Sequence, residues 1–290
     1  MAEGKNPSYF LLLSWMPKKK VGLVGCGTIG NQLAMAVDSN KIANASLVAL
    51  FDIVENNLQN LKSKLHSSPG AHSDFGTFLA SGADIVVEAA SQDAVRTFGK
   101  AILEAGRDMM VMSVGALAEN DLLVELLQVA AKKGCRIYVP TGAIAGIDAI
   151  RSVRHLLDSV TLTTTKSPKA LAGAPFFETS KIKLDSITKT AVIYDGTAAE
   201  AVRAFPANVN VAAVLSLAGI GVDRTKVRIV ADPQATTNQH EIVAAGSFGD
   251  IRITVNNVPS PGNPKTSFLA VLSAIECLRS ICDDGMRIGS

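Results

Sequence analysis

The sequence predicts an α/β protein of two units: a doubly wound parallel sheet, followed by an α+β unit built on a mainly antiparallel sheet. Three observations carry this. From Val21 onward, short β-branched runs alternate with longer segments of helical period, the signature of βαβ units. After about Gly146 the texture changes to alternating strands, such as "SVTLTTTKSP" and "HEIVAAGSFGDIRITVNNV". The 290 residues are 48% hydrophobic but only 5% aromatic and include 23 glycines, the aliphatic balance of buried parallel strands and tight βα turns.

The elements follow in order. "VGLVG" reads as a strand, "IGNQLAMAVDS" as a helix and "ASLVALFD" as the second strand. Residues 53–65 form a polar-faced helix and "ADIVVEAAS" a strand. "QDAVRTFGKAILEAG" has apolar spacings of three and four, which predict a helix. "RDMMVMSVGAL" is the next strand, "AENDLLVELLQVAAKKG" a helix closed by Gly134, and "CRIYVPTGAI" another strand. In the second unit "KTAVIYDG" and "TKVRIVAD" join the two strands quoted above, with "FGD" as a hairpin turn. "TAAEAVRAFPANVNVAAVLSLAGIG" supplies helix interrupted at Pro206, and helices on one face of the sheet are expected. "PSPGNP" is a turn cluster, and "KTSFLAVLSAIECLRSI" a final amphipathic helix expected to pack back on the first unit. The organisation expected is an extension at 1–19, a dinucleotide-binding domain at 20–145, a substrate and catalytic domain at 146–262 and a C-terminal helix at 263–290. Met16 stands directly before "PKKKVGLVG", so residues 1–15 read as an upstream extension that adds nothing to the fold.

Charge and cysteine usage exclude several classes. Lys plus Arg total 28 against 26 acidic residues, so no whole-chain field attracts nucleic acid or an anionic membrane, and the expected partner is a small molecule. Cys26, Cys135, Cys277 and Cys282 lack any CxxC spacing, and no His/Cys cluster offers a metal site; a reduced, cytoplasmic protein fits. "SYFLLLSWM" is too short for a membrane span.

Gly25, Gly27 and Gly30 form G-x-G-x-x-G in "VGCGTIG", after a strand and opening a helix, and the second strand ends in Asp52, 22 residues after Gly30. That register marks a Rossmann-type site for a dinucleotide. Gly25 permits the tight turn, Gly27 lets backbone approach a pyrophosphate, and Gly30 lets helix and strand pack closely. Thr28 and Ile29 complete the turn, whose helix N-terminus offers oriented N–H groups to the phosphates. Asp52 would accept hydrogen bonds from the ribose hydroxyls, which favours NAD and leaves NADP as the second cofactor. Ala89, Ala90 and Ser91, with "SVGAL" and "PTGAIAG", lie at strand ends where a nicotinamide ring would rest.

One histidine stands out. In "ATTNQHEIVAAG", His240 begins a strand in which Ile242 and Ala244 share its face. On position alone a half-buried structural role outweighs catalysis. The stretches "YDGTAAEAVRAFPANVNVAAVLSLAG" and "KVRIVADPQATTNQHEIVAAG", together with "GCGTIG", "EAAS" and "PTGAIAG", resemble the L-aspartate dehydrogenase family from about Val21 to the last helix. The resemblance implies oxidation of L-aspartate to iminoaspartate with NAD or NADP, the product serving NAD synthesis or hydrolysing to oxaloacetate and ammonia. It places the catalytic histidine at His240 and nucleotide-contacting residues at Ala143 and Asn210, and so reverses the odds for His240. Asn208 reads as a helix N-cap after Pro206.

A histidine suits the proton transfers of amine oxidation, and activity is expected to rise where an ordinary histidine titrates. His240→Ala is expected to leave folding nearly intact. Glu241 points to the other face. The two carboxylates of aspartate call for cations, which Lys166 and Lys169 in "TTTKSPK" offer; an ordinary solvated lysine pair is the equal alternative. Sugar or biliverdin-type oxidoreductases would show E-K-P after the fifth strand, and dihydrodipicolinate reductases paired histidines with a lysine; both patterns are absent. A non-catalytic NAD-binding regulator, or a dehydrogenase for another small amino acid such as homoserine, stands as the alternative. A homodimer through the antiparallel sheet is expected by analogy of fold.

Overall fold

The computed structural model describes residues 17–206, 210–260 and 263–283. The first unit runs β1 (Lys19–Val24), α1 (Thr28–Asp38), β2 (Ala45–Phe51), α2 (Glu55–Lys62), β3 (Gly70–His72), α3 (Phe75–Leu79), β4 (Ile85–Glu88), α4 (Gln92–Glu104), β5 (Asp108–Val111), α5 (Asn120–Lys133) and β6 (Ile137–Tyr138). Its six strands are parallel in the order β3-β2-β1-β4-β5-β6, so the order reverses between β1 and β4. That switch point opens a crevice beyond the carboxyl ends of the strands.

Local signals fix these elements. The Ser91 hydroxyl caps α4 by accepting from Ala94 N at 3.1 Å. Gly134, at φ +70°, closes α5 in the left-handed region. Phe51, Phe75, Phe78 and Phe98 form an aromatic cluster beside β2, Phe75 and Phe98 stacking with centroids 4.1 Å apart.

Three expectations change. β3 and α3 were not anticipated, because a three-residue strand carries no alternation. The strand expected through "SVGAL" stops at Val111, and Val114–Ala118 is a 3₁₀ turn. The strand expected through "CRIYVPTGAI" keeps only Ile137 and Tyr138; Pro140 lacks a donor, and Gly142 and Gly146 turn the chain at φ +69° and +73°.

The second unit comprises α6 (Ile147–Val153), β7 (Leu157–Lys166), α7 (Pro168–Leu171), α8 (Phe176–Thr179), β8 (Ala191–Thr197), α9 (Ala198–Ala204), α10 (Asn210–Ala218), β9 (Lys226–Ala231), β10 (Asn238–Gly246) and β11 (Gly249–Asn257). Its sheet has the order β11-β10-β7-β9-β8, antiparallel except for β7 beside β9. Val160, Leu162, Ile242 and Ala244 are buried on one face, in the same core as Val211 to Leu215 of α10. Thr161, Thr163, Glu241 and Val243 lie on the other face, partly exposed. Thr197 and Glu200 form a capping box that starts α9.

The chain then returns through β12 (Pro259–Ser260) and β13 (Asn263–Ser267) to α11 (Phe268–Cys282). Ala274 and Leu278 of α11 are buried in one cluster with Leu33 and Val37 of α1. Side chains also tie the units: Gln32 Nε2 donates to Ser260 Oγ at 2.8 Å, and Asn257 Nδ2 to the Ala143 carbonyl at 2.9 Å. No described helix is long and apolar enough to cross a membrane. The extension at 1–15 and the capping role of Asn208 lie outside the described residues.

Candidate active site

The turn between β1 and α1 is shaped by its glycines. Gly25 sits at φ +93°, and a side chain there would strike Ala89 O and Ala90 N at 2.7 Å. A Cβ on Gly30 would lie 1.9 Å from Gly25 O, so helix and turn meet only at glycine. Gly27 differs: a Cβ there meets nothing within 4 Å, and its φ of −73° is ordinary. Packing does not demand glycine at 27, so the open space above it is room for a ligand against bare backbone. Gly27 also begins α1 without any side-chain cap, which leaves the first-turn N–H groups for an anion. These features fit a dinucleotide pyrophosphate.

Asp52 lies just past the end of β2 and is buried. Its Oδ2 accepts from Cys26 N at 2.7 Å and its Oδ1 from Val54 N at 2.8 Å, with Asn57 Nδ2 3.4 Å from Oδ2. The carboxylate therefore braces the glycine turn. Ala89, Ala90 and Ser91 follow β4 across the crevice. Ala90, Ser91, Ser113 and Asn210 border a cleft of about 890 Å³.

Asn210 also borders a second cavity of about 150 Å³. Ile29, Gly142, Ala143, Lys166 and His240 line it, so both units contribute. The structure thus brings together the glycine turn, Ala143, Asn210, Lys166 and His240. Lys169 is not brought in: it is exposed on α7, because Pro168 ends the strand that carries Lys166 inward.

His240 is 2% exposed and pairs across the sheet with Thr164 of β7. Its Nδ1 is 3.0 Å from Thr164 Oγ1, which leaves Nε2 for the cavity. The base-competent tautomer carries its proton on Nδ1, toward Thr164. Burial, and then the nearby charge of Lys166, push its pKa down to about 3. The expectation of an ordinary histidine titration is corrected by this: His240 is neutral across the physiological range. Lys166 is itself 5% exposed, and burial pushes its pKa down to about 8, so it is largely charged at neutrality. Glu241 lies on the opposite face, 3.2 Å from Arg252.

Sequence reasoning missed Thr164, Asn257 and Glu88. Thr164 is visible only through strand register. Asn257 falls on the inward period of β11 but is its last residue, a polar side chain where the alternation calls for an apolar one. Glu88 carried a signal, a carboxylate ending the apolar run "IVVE", within the quoted "EAAS" context.

Comparison with known proteins places this geometry. Residues 148–281 match the family model described as aspartate dehydrogenase, C-terminal, and residues 25–140 the one described as homoserine dehydrogenase, NAD binding domain. The chain is 46% identical over 272 residues to an L-aspartate dehydrogenase of Nitrosopumilus maritimus, covering 94% of this chain and 100% of that one. It is 50% identical over 263 residues to that of Methanosarcina barkeri, covering 90% and 96%. Among solved structures, the aspartate dehydrogenase of Thermotoga maritima superposes with a TM-score of 0.72 at 25% identity, covering 93% and 99%. The chain belongs to the L-aspartate dehydrogenase family.

Proposed function

We propose that this member of the L-aspartate dehydrogenase family oxidises L-aspartate with NAD, His240 moving the proton and Lys166 holding a substrate carboxylate. The observation that carries this reading is one cavity enclosing a neutral histidine and a buried lysine cation beside Asn210, Ala143 and Ile29. When bound, NAD supplies the acceptor for the hydride leaving the substrate Cα; every other task falls to side chains. The residues that would hold it are Gly25 to Gly30, Asp52, Ala89 to Ser91, Ala143 and Asn210. Asp52 repels a 2′-phosphate, which supports NAD over NADP.

The Lys166 ammonium draws a dicarboxylate into the cavity and fixes it by a charge-assisted bond. The substrate reacts as the neutral amine, its ammonium proton passing by way of His240 Nε2 to solvent. The freed nitrogen lone pair then forms the C=N bond as the Cα hydrogen departs with its electron pair, giving protonated iminoaspartate. Water adds to the iminium carbon, His240 takes one water proton and passes it to the nitrogen, and ammonia leaves as the C=O bond of oxaloacetate forms and the second water proton goes to solvent. Pairing of Lys166 with the substrate also cancels one of the two causes that depress His240. The base therefore strengthens when the substrate arrives. Iminoaspartate that escapes hydrolysis is available to NAD synthesis.

The half-exposed face of the five-stranded sheet, with Thr161, Thr163 and Val243, is the surface through which we place a homodimer. Sedimentation of the purified chain tests that placement. The activity is tested by the near-ultraviolet absorbance of reduced nicotinamide, with NAD and each amino acid in turn. Reduction with aspartate and none with homoserine is expected. No reduction by aspartate with either nucleotide would refute the reading in favour of an NAD-binding protein without turnover.

A further inference from the structure

Glu88 ends β4 with 0% of its surface exposed, and the proton steps above do not use it. Its carboxylate collects four donors: Ala90 N at 2.8 Å, Ser91 N at 3.0 Å, Ser113 N at 3.0 Å and Ser113 Oγ at 2.8 Å. The first two belong to the loop after β4 and the others to the loop after β5. One carboxylate thus clamps two neighbouring loops at the carboxyl edge of the sheet. Two residues beyond Ser113, Gly115 N donates to Asn210 Oδ1 at 3.1 Å. A backbone N–H can face only the oxygen of an amide, so this bond fixes which way Asn210 points and leaves its NH₂ to donate elsewhere. Burial raises the pKa of Glu88, and the four hydrogen bonds oppose that.

We infer that Glu88 is a positioning residue for the nicotinamide end of the cofactor, acting through Ser113 and Gly115 to hold the amide of Asn210 in its donating orientation. The inference rests on the placement of the nicotinamide at Asn210 proposed above. Glu88→Gln preserves shape but replaces one acceptor oxygen by a donor. In either orientation of the new amide, that donor faces an N–H or O–H already aimed at the site.

The test is titration of the full-length chain with NADH and, separately, with ADP-ribose, which lacks the nicotinamide. Wild type, E88Q, N210A and the double variant are compared. E88Q is expected to weaken NADH about tenfold, the loss of roughly one hydrogen bond to a charged group, and ADP-ribose by less than about twofold. N210A should show the same split, and the double variant should bind NADH no more weakly than N210A alone. Equal losses for both ligands, additive losses in the double variant, or unchanged NADH binding in E88Q would overturn the inference. If N210A does not discriminate NADH from ADP-ribose, the placement of the nicotinamide fails instead, and the inference falls with it. Should E88Q fail to fold, S113A carries the test, with the same split expected at about threefold.

Discussion

His240→Asn separates proton transfer from packing. The asparagine amide places a polar atom close to where Nδ1 meets Thr164 Oγ1 at 3.0 Å, and it removes Nε2, the nitrogen left for the cavity. Loss of an acid/base group lowers turnover by about 10²–10⁴-fold, or about 2.7–5.5 kcal/mol in the barrier. NAD affinity should be unchanged, because the glycine turn and Asp52 belong to the other unit. For His240→Ala the structure leads to a different expectation from the sequence alone. His240 is 2% exposed and Thr164 is buried, so truncation orphans the Thr164 hydroxyl at about 1–3 kcal/mol and adds a void. At about 2–4 °C per kcal/mol for a large domain, H240A should melt several degrees below wild type while H240N stays close to it. The assay is steady-state turnover with aspartate and NAD, paired with thermal melts of the same preparations. Near-normal turnover in folded H240N would refute the catalytic role. An ascending limb of kcat/KM between about pH 5 and 8 that vanishes in H240N would keep the catalytic role and contradict instead the depressed pKa of about 3.

Three further outcomes follow from the site. Lys166 is charged below its depressed pKa of about 8, so inhibition by a dicarboxylate lacking the amine should be full below that pH and weaken as pH rises through it; in K166M it should be weak and flat, and a pH-independent wild type would refute the assignment. Gly27→Ala meets no protein atom within 4 Å and should melt like wild type while losing about tenfold or more in NAD affinity, whereas Gly30→Ala collides with Gly25 O and should lose stability; equal melting points would contradict this geometry. Asp52→Ser should narrow the NAD over NADP preference by about tenfold or more in kcat/KM, and it should also weaken NAD itself, since Asp52 braces Cys26 N; a wild type that prefers NADP would remove the ribose role.

What the sequence revealed about the site follows the range of the interactions involved. The glycine turn was readable because strand, turn and helix start are contiguous and two of its glycines answer a local demand, a positive φ at Gly25 and a close approach at Gly30. Lys166 and Lys169 were offered together by the sequence, and only the end of β7 separates them: Lys166 shares the inward face of Leu162 and Thr164, while Ser167 and Pro168 end the alternation before Lys169. The state of His240 was not readable. Its chemistry is set by Thr164, 76 positions away in sequence, and by a lysine on the same neighbouring strand, and no local pattern gives the register that brings them together. Glu88 illustrates the same point from the other side. A carboxylate ending a buried strand must find donors, but which donors it finds depends on β5 lying beside β4, which the sequence analysis did not reach. The residues proposed to carry the proton and the substrate carboxylate were therefore recognisable one by one. The control exerted on them, a neutral base beside a buried cation and an amide held in one orientation, arises only where two strands or two units meet.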